Sequence, residues 1–146
     1  MQIREVMTRS VDVIDPNTMI RDAAARMRAD NVGSLPLGEH DRLVGMVTDR
    51  DITVRAVAEN RAPGTTAVRE VMSEKVAYCF EDDSLEEAAH KMAECQVRRL
   101  PVLNRDKRLV GIISVADLGR HADEASEALK DALRGISEPT DQPRRL

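Results

Sequence analysis

The chain carries one message twice. Residues 4–7 and 69–72 both read Arg-Glu-Val-Met, followed by a hydroxyl residue, Thr8 and Ser73. A shift of 65 positions sets Val11 on Val76, Asp22-Ala23-Ala24 on Glu87-Ala88-Ala89, Met27 on Met92, Val32 on Val97 and Leu35-Pro36 on Leu100-Pro101. One extra residue within 104–108 makes the shift 66 for the phrases at 43–52 and 109–118. That insertion falls in a polar turn, where added residues are cheap. A duplicated chain of 146 residues must fold as two copies of one motif. A copy of about 60 residues buries too little apolar surface to be stable by itself, so the copies are expected to pack together through their sheets.

Each half has the same local grammar. The runs 10–14 and 76–80 are short and β-rich. Residues 15–31 open with turn signals and then set Ile20, Ala23, Ala24, Met27 and Ala29 near one helical face. The equivalent helix has Ser84 as its N-cap, Glu87 three residues on, and Leu85, Ala88, Ala89 and Met92 facing inward. A short strand containing Leu-Pro follows, its proline suggesting an edge position or a strand start. A polar turn, a second strand and a second helix complete the unit.

The expected fold class is α+β (α/β): two β-α-β-β-α repeats packed sheet to sheet in pseudo-twofold symmetry. Repeat 1 is placed at 1–60, a linker at 61–68 and repeat 2 at 69–123. A helix and a disordered tail are expected over 124–146.

Composition removes several function classes. Tyr78 and Phe80 are the only aromatic residues, so the core must be aliphatic and no stacking platform for single-stranded nucleic acid exists. A net charge of −4 with interspersed signs argues against nucleic-acid binding. No apolar run approaches the ~20 residues that span a bilayer, and the N-terminus lacks a signal-peptide core; a cytoplasmic protein with no membrane partner is expected. Cys79 and Cys95 lack zinc or redox spacing and read as buried, reduced thiols. His40, His90 and His121 pair with nothing at metal-ligand spacing. Cys79 with His90 would need a third, orienting group that the sequence does not imply. Neither a catalytic centre nor a metal site is expected.

The phrases at 43–52 and 109–118 carry the remaining chemistry. Both read Leu-Val-Gly, two apolar residues, Thr or Ser, two variable residues, Asp. The hydroxyl of Thr48 or Ser114 can cap a helix, and Asp51 or Asp117 at the third helical position can reach back to the cap. The same residues can form a ligand corner, in which helix N–H groups and the hydroxyl meet a phosphate and the aspartate accepts from two ribose hydroxyls. Gly45 and Gly111, within apolar strands, signal a bulge or the close approach of another group.

Together, Val-Met-[Thr/Ser], the Ala-Ala…Met helix, Leu-Pro-[Leu/Val] and the closing glycine–hydroxyl–aspartate phrase resemble a tandem pair of CBS domains, the repeat named after cystathionine β-synthase and called a Bateman module when paired. The resemblance covers residues 3–122. It implies a regulatory sensor that binds adenosine derivatives (AMP, ADP, ATP, NAD or S-adenosylmethionine) in the cleft between repeats and changes conformation or assembly in response. At one implied site Ser114 addresses the phosphate and Asp117 the ribose, with Ile112, Val11 and Val32 around the adenine and the backbone of Asp12 reading its edge. At the other, Thr48 and Asp51 take the polar roles, with Met46, Val76, Ala77 and Val97 around the base.

The resemblance further implies a homodimer, no required cofactor and an unknown regulated protein. The sites are expected to be unequal. Arg98 and Arg99 stand where repeat 1 has Gly33 and Ser34, and Asp49 stands where repeat 2 has Val115. The resemblance implies that Arg98 faces a di- or triphosphate; the alternative is a solvated arginine at a strand edge. Asp49 would oppose one unless it points away or Mg2+ intervenes. The alternative is a ligand-free interaction module acting through its dimer surface.

Overall fold

The computed structural model describes residues 1–121 with Lys130, Arg134 and Gly135. The helix and tail expected over 124–146 lie outside the described residues apart from these three, which are helical. The chain forms two compact units. One comprises Ser10–Val76 with Asp106–Leu109; the other comprises Met1–Arg9, Ala77–Arg105 and the chain from Val110 onward.

In the first unit, helix α1 (Ile20–Asp30) leads to an antiparallel pair, β1 (Ser34–Glu39) and β2 (Arg42–Thr48), with Leu35 opposite Val47. His40 and Asp41 both have positive φ, 52° and 63°, as a two-residue hairpin turn requires. Helix α2 (Asp49–Ile52) continues into one wide turn, Thr53–Val57, closed by the Ala58 N–H on the Thr53 carbonyl at 3.0 Å. The core joins Ile20, Ala23 and Met27 of α1 to Leu35, Leu37, Val47 and Ala56.

The second unit repeats the plan. Strand β3 (Cys79–Phe80) runs parallel to β4 (Arg99–Leu103), which neighbours β5 (Leu109–Ser114) in a three-stranded sheet. Helix α3 (Leu85–Cys95) is capped by the Ser84 hydroxyl, which accepts from the Glu87 N–H at 3.1 Å, and α4 (Val115–Arg120) follows β5. Ala88, Ala89, Met92, Leu100, Val102, Ile113 and Leu118 fill the core. Both long helices end on a left-handed residue, Asn31 or Gln96, whose N–H closes the last turn. The mixed α/β class and the duplicated β-α-β-β-α order are therefore as expected.

Three local expectations need correction. Ala24 and Ala29 are exposed, so the buried stripe of α1 is the narrower set Ile20, Ala23 and Met27. In α3 all four expected positions are buried, and that helix has further cover, since a Cβ on Gly135 would stand 3.6 Å from Ala93. The first β run of each repeat shrinks to Ile14, bridged in parallel to Leu37, and to the two residues of β3. Pro36 and Pro101 are buried inside β1 and β4 rather than starting a strand.

The cysteines divide. Cys79 is buried, whereas Cys95 is exposed at the end of α3. Burial, reinforced by the Asp83 charge and opposed by Lys91, pushes the Cys79 thiol from about 9 up to about 12. Its contribution to stability is complete below pH 9 and is lost as the pH rises toward 12, because only the unfolded thiol ionises in that window. A maleimide at neutral pH is expected to add once to the native protein, at Cys95, and twice after denaturation, read by intact mass. Two adducts on the native protein would contradict this assignment.

Candidate functional site

Each repeated phrase forms a strand-to-helix corner. At β2–α2 the Thr48 hydroxyl accepts from the Asp51 N–H at 3.0 Å, and Asp51 Oδ2 accepts from the Thr48 N–H at 3.0 Å. At β5–α4 the Ser114 hydroxyl accepts from the Asp117 N–H at 3.2 Å. Asp117 Oδ2 takes the Ser114 N–H and the Ser114 hydroxyl, both at 2.9 Å. Both capping boxes are formed, so the hydroxyl and the carboxylate are fixed before any ligand arrives.

The second carboxylate oxygen differs. Asp51 Oδ1 faces Arg55 Nε at 3.9 Å, and Asp117 Oδ1 faces Arg120 Nη1 at 3.3 Å. Neither Oδ1 receives a main-chain N–H from the described residues. Asp117 is the more deeply buried, its side chain 9% exposed against 17% for Asp51. Arg55 also donates to the carbonyls of Val71 and Met72 at 3.3 and 3.1 Å, tying the corner to the second Arg-Glu-Val-Met segment. Sequence reading missed Arg55 and Arg120. Their signal was helical spacing, four and three residues beyond the aspartate.

Strand alternation sends Val47 and Ile113 into the cores, leaving Met46 with Thr48 and Ile112 with Ser114 on the opposite face, half-buried. Met46 exchanges two main-chain hydrogen bonds with Ser73, and Ile112 two with Thr8. This pairing accounts for the glycines without any ligand. A Cβ on Gly45 would lie 2.9 Å from Met72 Sδ and 2.9 Å from the Ser73 carbonyl. On Gly111 it would lie 2.6 Å from Met7 Sδ and 2.9 Å from the Thr8 carbonyl. Glycine is needed because the Val-Met-hydroxyl segment crosses the strand there, not because a ligand does.

The remaining expected residues sit within one unit or the other. In the first, Val11, Asp12 and Val76 are half-buried, and Val32 packs on the core. The Asp12 carboxylate pairs with Arg26. A hydrogen bond to Asp12 raises the Asp30 carboxyl from its ordinary value. In the second, Ala77 and Val97 pack on the core and Arg98 is exposed. The Val115 N–H donates to the Arg98 carbonyl at 2.9 Å, as the Asp49 N–H does to Gly33 at 2.9 Å, so positions 98 and 33 occupy equivalent places beside their corners. The Asp49 side chain lies beside position 33, its Oδ2 3.1 Å from where a Gly33 Cβ would be. The first helical position is therefore a carboxylate, Asp49, at one corner and an apolar side chain, Val115, at the other, and the main chain beside Val115 belongs to an exposed arginine, Arg98.

Among the described residues, no group of three or more His, Cys, Asp and Glu side chains is arranged to hold a metal ion, and no helix is long and apolar enough to cross a membrane.

The CBS domain model matches residues 3–57 and 68–124. The chain belongs to the CBS-domain family. The CBS domain-containing protein YhcV of Bacillus subtilis is 40% identical over 135 residues, covering 92% of this chain and 94% of the relative. Hypoxic response protein 1 of Mycobacterium tuberculosis is 36% identical over 137 residues, 93% of this chain and 94% of its own. A crystal structure of Hypoxic Response Protein I, described with two coordinated zinc ions, superposes with a TM-score of 0.76 at 37% identity, covering 83% of this chain and 98% of that one. The CBS pair of protein MJ0100, crystallised with 5′-methylthioadenosine and S-adenosylmethionine, gives a TM-score of 0.72 at 27% identity, covering 85% and 97%. This CBS pair thus has relatives spanning nearly its whole length, and one structural neighbour holds adenosine derivatives.

Proposed function

We propose that this CBS pair is a regulatory sensor for adenosine-containing ligands rather than a catalyst, holding the ribose of each ligand at Asp51 or Asp117 and its 5′ substituent near Thr48 or Ser114. The supporting observation is the division of labour within each carboxylate. Oδ2 is committed to the cap, while Oδ1 is held by the same helical turn and takes no main-chain donor from the described residues. An ionised oxygen so placed is a strong acceptor for the 2′ and 3′ hydroxyls. Met46 and Ile112, on the same strand faces as the hydroxyls, supply apolar surface for a purine. A ligand that favours one packing of the protein shifts its conformation or its assembly into a homodimer by the difference in affinity, and an unidentified partner protein reads that shift.

The test is thermal denaturation with AMP, ADP, ATP, NAD and S-adenosylmethionine, each with and without Mg2+. At least one is expected to raise the melting temperature in a saturable manner. A ligand-free module acting through a dimer surface is a second reading, favoured by Val54 and Val57, which stand 46% and 67% exposed just past α2. It predicts no shift with any of the five and a self-association that Val57→Glu abolishes.

The two corners are expected to rank phosphorylated ligands differently. Asp49 beside Thr48 repels a phosphate, whereas Arg98 beside Ser114 attracts one. Asp49→Val, copying Val115, is expected to strengthen AMP binding at the Thr48 corner by about tenfold at low salt and less at high salt. Titration calorimetry resolves this as a change in one of two affinities, and an unchanged isotherm would remove Asp49 from the site.

A further inference from the structure

The two corners differ in what their arginines hold. At the first, Arg55 stands between two partners. Its Nε faces Asp51 Oδ1 at 3.9 Å, and its Nη1 donates to the carbonyls of Val71 and Met72 at 3.3 and 3.1 Å. Those carbonyls belong to the segment that crosses Gly45, where the Ser73 N–H donates to the Met46 carbonyl at 2.9 Å. The chain leaves this unit shortly afterwards, beyond Val76. One guanidinium therefore touches the carboxylate of the corner and the main chain that leads out of the unit.

The second corner has no such link. A shift of 66 sets Val54 on Arg120 and Arg55 on His121. Arg120 meets Asp117 Oδ1 at 3.3 Å and has no further hydrogen bond or ion pair among the described residues. The segment that crosses Gly111 is held by main-chain bonds instead: Thr8 with Ile112, the Ile3 N–H on the Asp83 carbonyl and the Arg4 N–H on the Glu81 carbonyl, each at 2.9 Å. Its own Arg9 donates to the Arg4 carbonyl at 3.2 Å.

We infer that Arg55 is a positioning residue that couples ligand binding at the Thr48 corner to the segment Val68–Ser73, so that this corner signals while the Ser114 corner only holds its ligand. The inference rests on the adenosine reading above and adds the route by which occupancy leaves the site. Ribose hydroxyls that donate to Asp51 Oδ1 compete with Arg55 for that oxygen. The Arg55 side chain is 53% exposed, and an ion pair so open to solvent is weak. The competition is therefore worth a few-fold rather than orders of magnitude. Once outcompeted, Arg55 loses the anchor that fixes its side chain, and its hold on the Val71 and Met72 carbonyls loosens. The converse follows by linkage: without Arg55, Asp51 is the better acceptor and the ligand binds more tightly.

The experiment measures amide hydrogen exchange of the full chain with and without saturating adenosine, on the wild type, Arg55→Ala and Arg55→Lys, with affinities from titration calorimetry. In the wild type, adenosine is expected to speed exchange of the Ser73 amide by about two- to fivefold and to leave or slow that of Thr8. In Arg55→Ala the Ser73 amide should exchange faster without ligand and no longer respond to it, and one of the two affinities should rise by a similar factor. A merely structural arginine would give weaker binding on removal, not tighter. Arg55→Lys should behave as Arg55→Ala does, because one ammonium has no fork to hold a carboxylate and two carbonyls together. Adenosine that binds but slows Ser73 and Thr8 alike, or affinities unchanged in both variants, would overturn the coupling and leave the sensor reading intact. Failure of adenosine to bind the wild type would overturn both. Should Arg55→Ala fail to fold, the wild-type contrast between Ser73 and Thr8 decides, together with Arg55→Lys.

Discussion

Gly111→Ala is expected to destabilise the protein by about 1–3 kcal/mol, the usual cost of forcing a methyl into filled space. The added Cβ meets Met7 Sδ at 2.6 Å and the Thr8 carbonyl at 2.9 Å. The sulfur sits on a flexible side chain and can yield. The carbonyl cannot move freely, because Thr8 and Ile112 exchange two main-chain hydrogen bonds at 2.9 Å and the segment behind them carries Ile3 and Met7 into the core. Gly45→Ala, with contacts of 2.9 Å to Met72 Sδ and the Ser73 carbonyl, is expected to cost somewhat less. Met7→Ala should rescue part of the Gly111 effect, since it removes the sulfur but not the carbonyl. Urea denaturation checks the series. A Gly111→Ala protein as stable as the wild type would mean that the segment does not cross the strand as described.

Asp117→Ala is expected to act on stability and ligand binding by separable amounts. Loss of the reciprocal cap should cost about 1–2 kcal/mol. Loss of a charged acceptor for two ribose hydroxyls should weaken adenosine binding at that corner by about a hundredfold or more. Asp117→Asn separates the two, because an amide oxygen can still accept from the Ser114 N–H while the charge is gone. Its stability should stay near wild type and its affinity should fall. Asp51→Ala and Asp51→Asn are expected to follow the same pattern with smaller stability changes, since Asp51 is less buried and its arginine stands farther off. Calorimetry with adenosine on each variant, beside its unliganded melt, measures both effects. Affinities unchanged in all four proteins would exclude the aspartates from ribose recognition.

The duplication was legible because both halves keep the same apolar positions and the same turn chemistry. Ser84 with Glu87 announced its helix, and the hydroxyl–aspartate spacing announced both corners. What stayed hidden depends on partners far away in sequence. Gly45 and Gly111 look like ligand contacts until Met72 and Met7 are seen to cross them, and the second pair is separated by most of the chain. Ala24 and Ala89 are equivalent in the repeat but not in exposure, since helical periodicity does not reveal which flank of a helix gains cover. Pro36 and Pro101 suggested strand starts, but both lie inside their strands. Cys95 matched the burial habit of free cysteine but falls at the exposed end of its helix.

Binding of adenosine-containing ligands by this CBS pair is proposed to run through Asp51 and Asp117. The most direct measurement is the melting temperature of the wild type against increasing adenosine nucleotide and S-adenosylmethionine, repeated with Asp51→Asn/Asp117→Asn. A ligand at about ten times its Kd stabilises the wild type by about 1.4 kcal/mol, an upward shift of about 3–6 °C for a chain of 146 residues. That shift is expected in the wild type, and its loss in the double variant. No shift with any of these ligands at millimolar concentration, or a shift of equal size in the double variant, would contradict it.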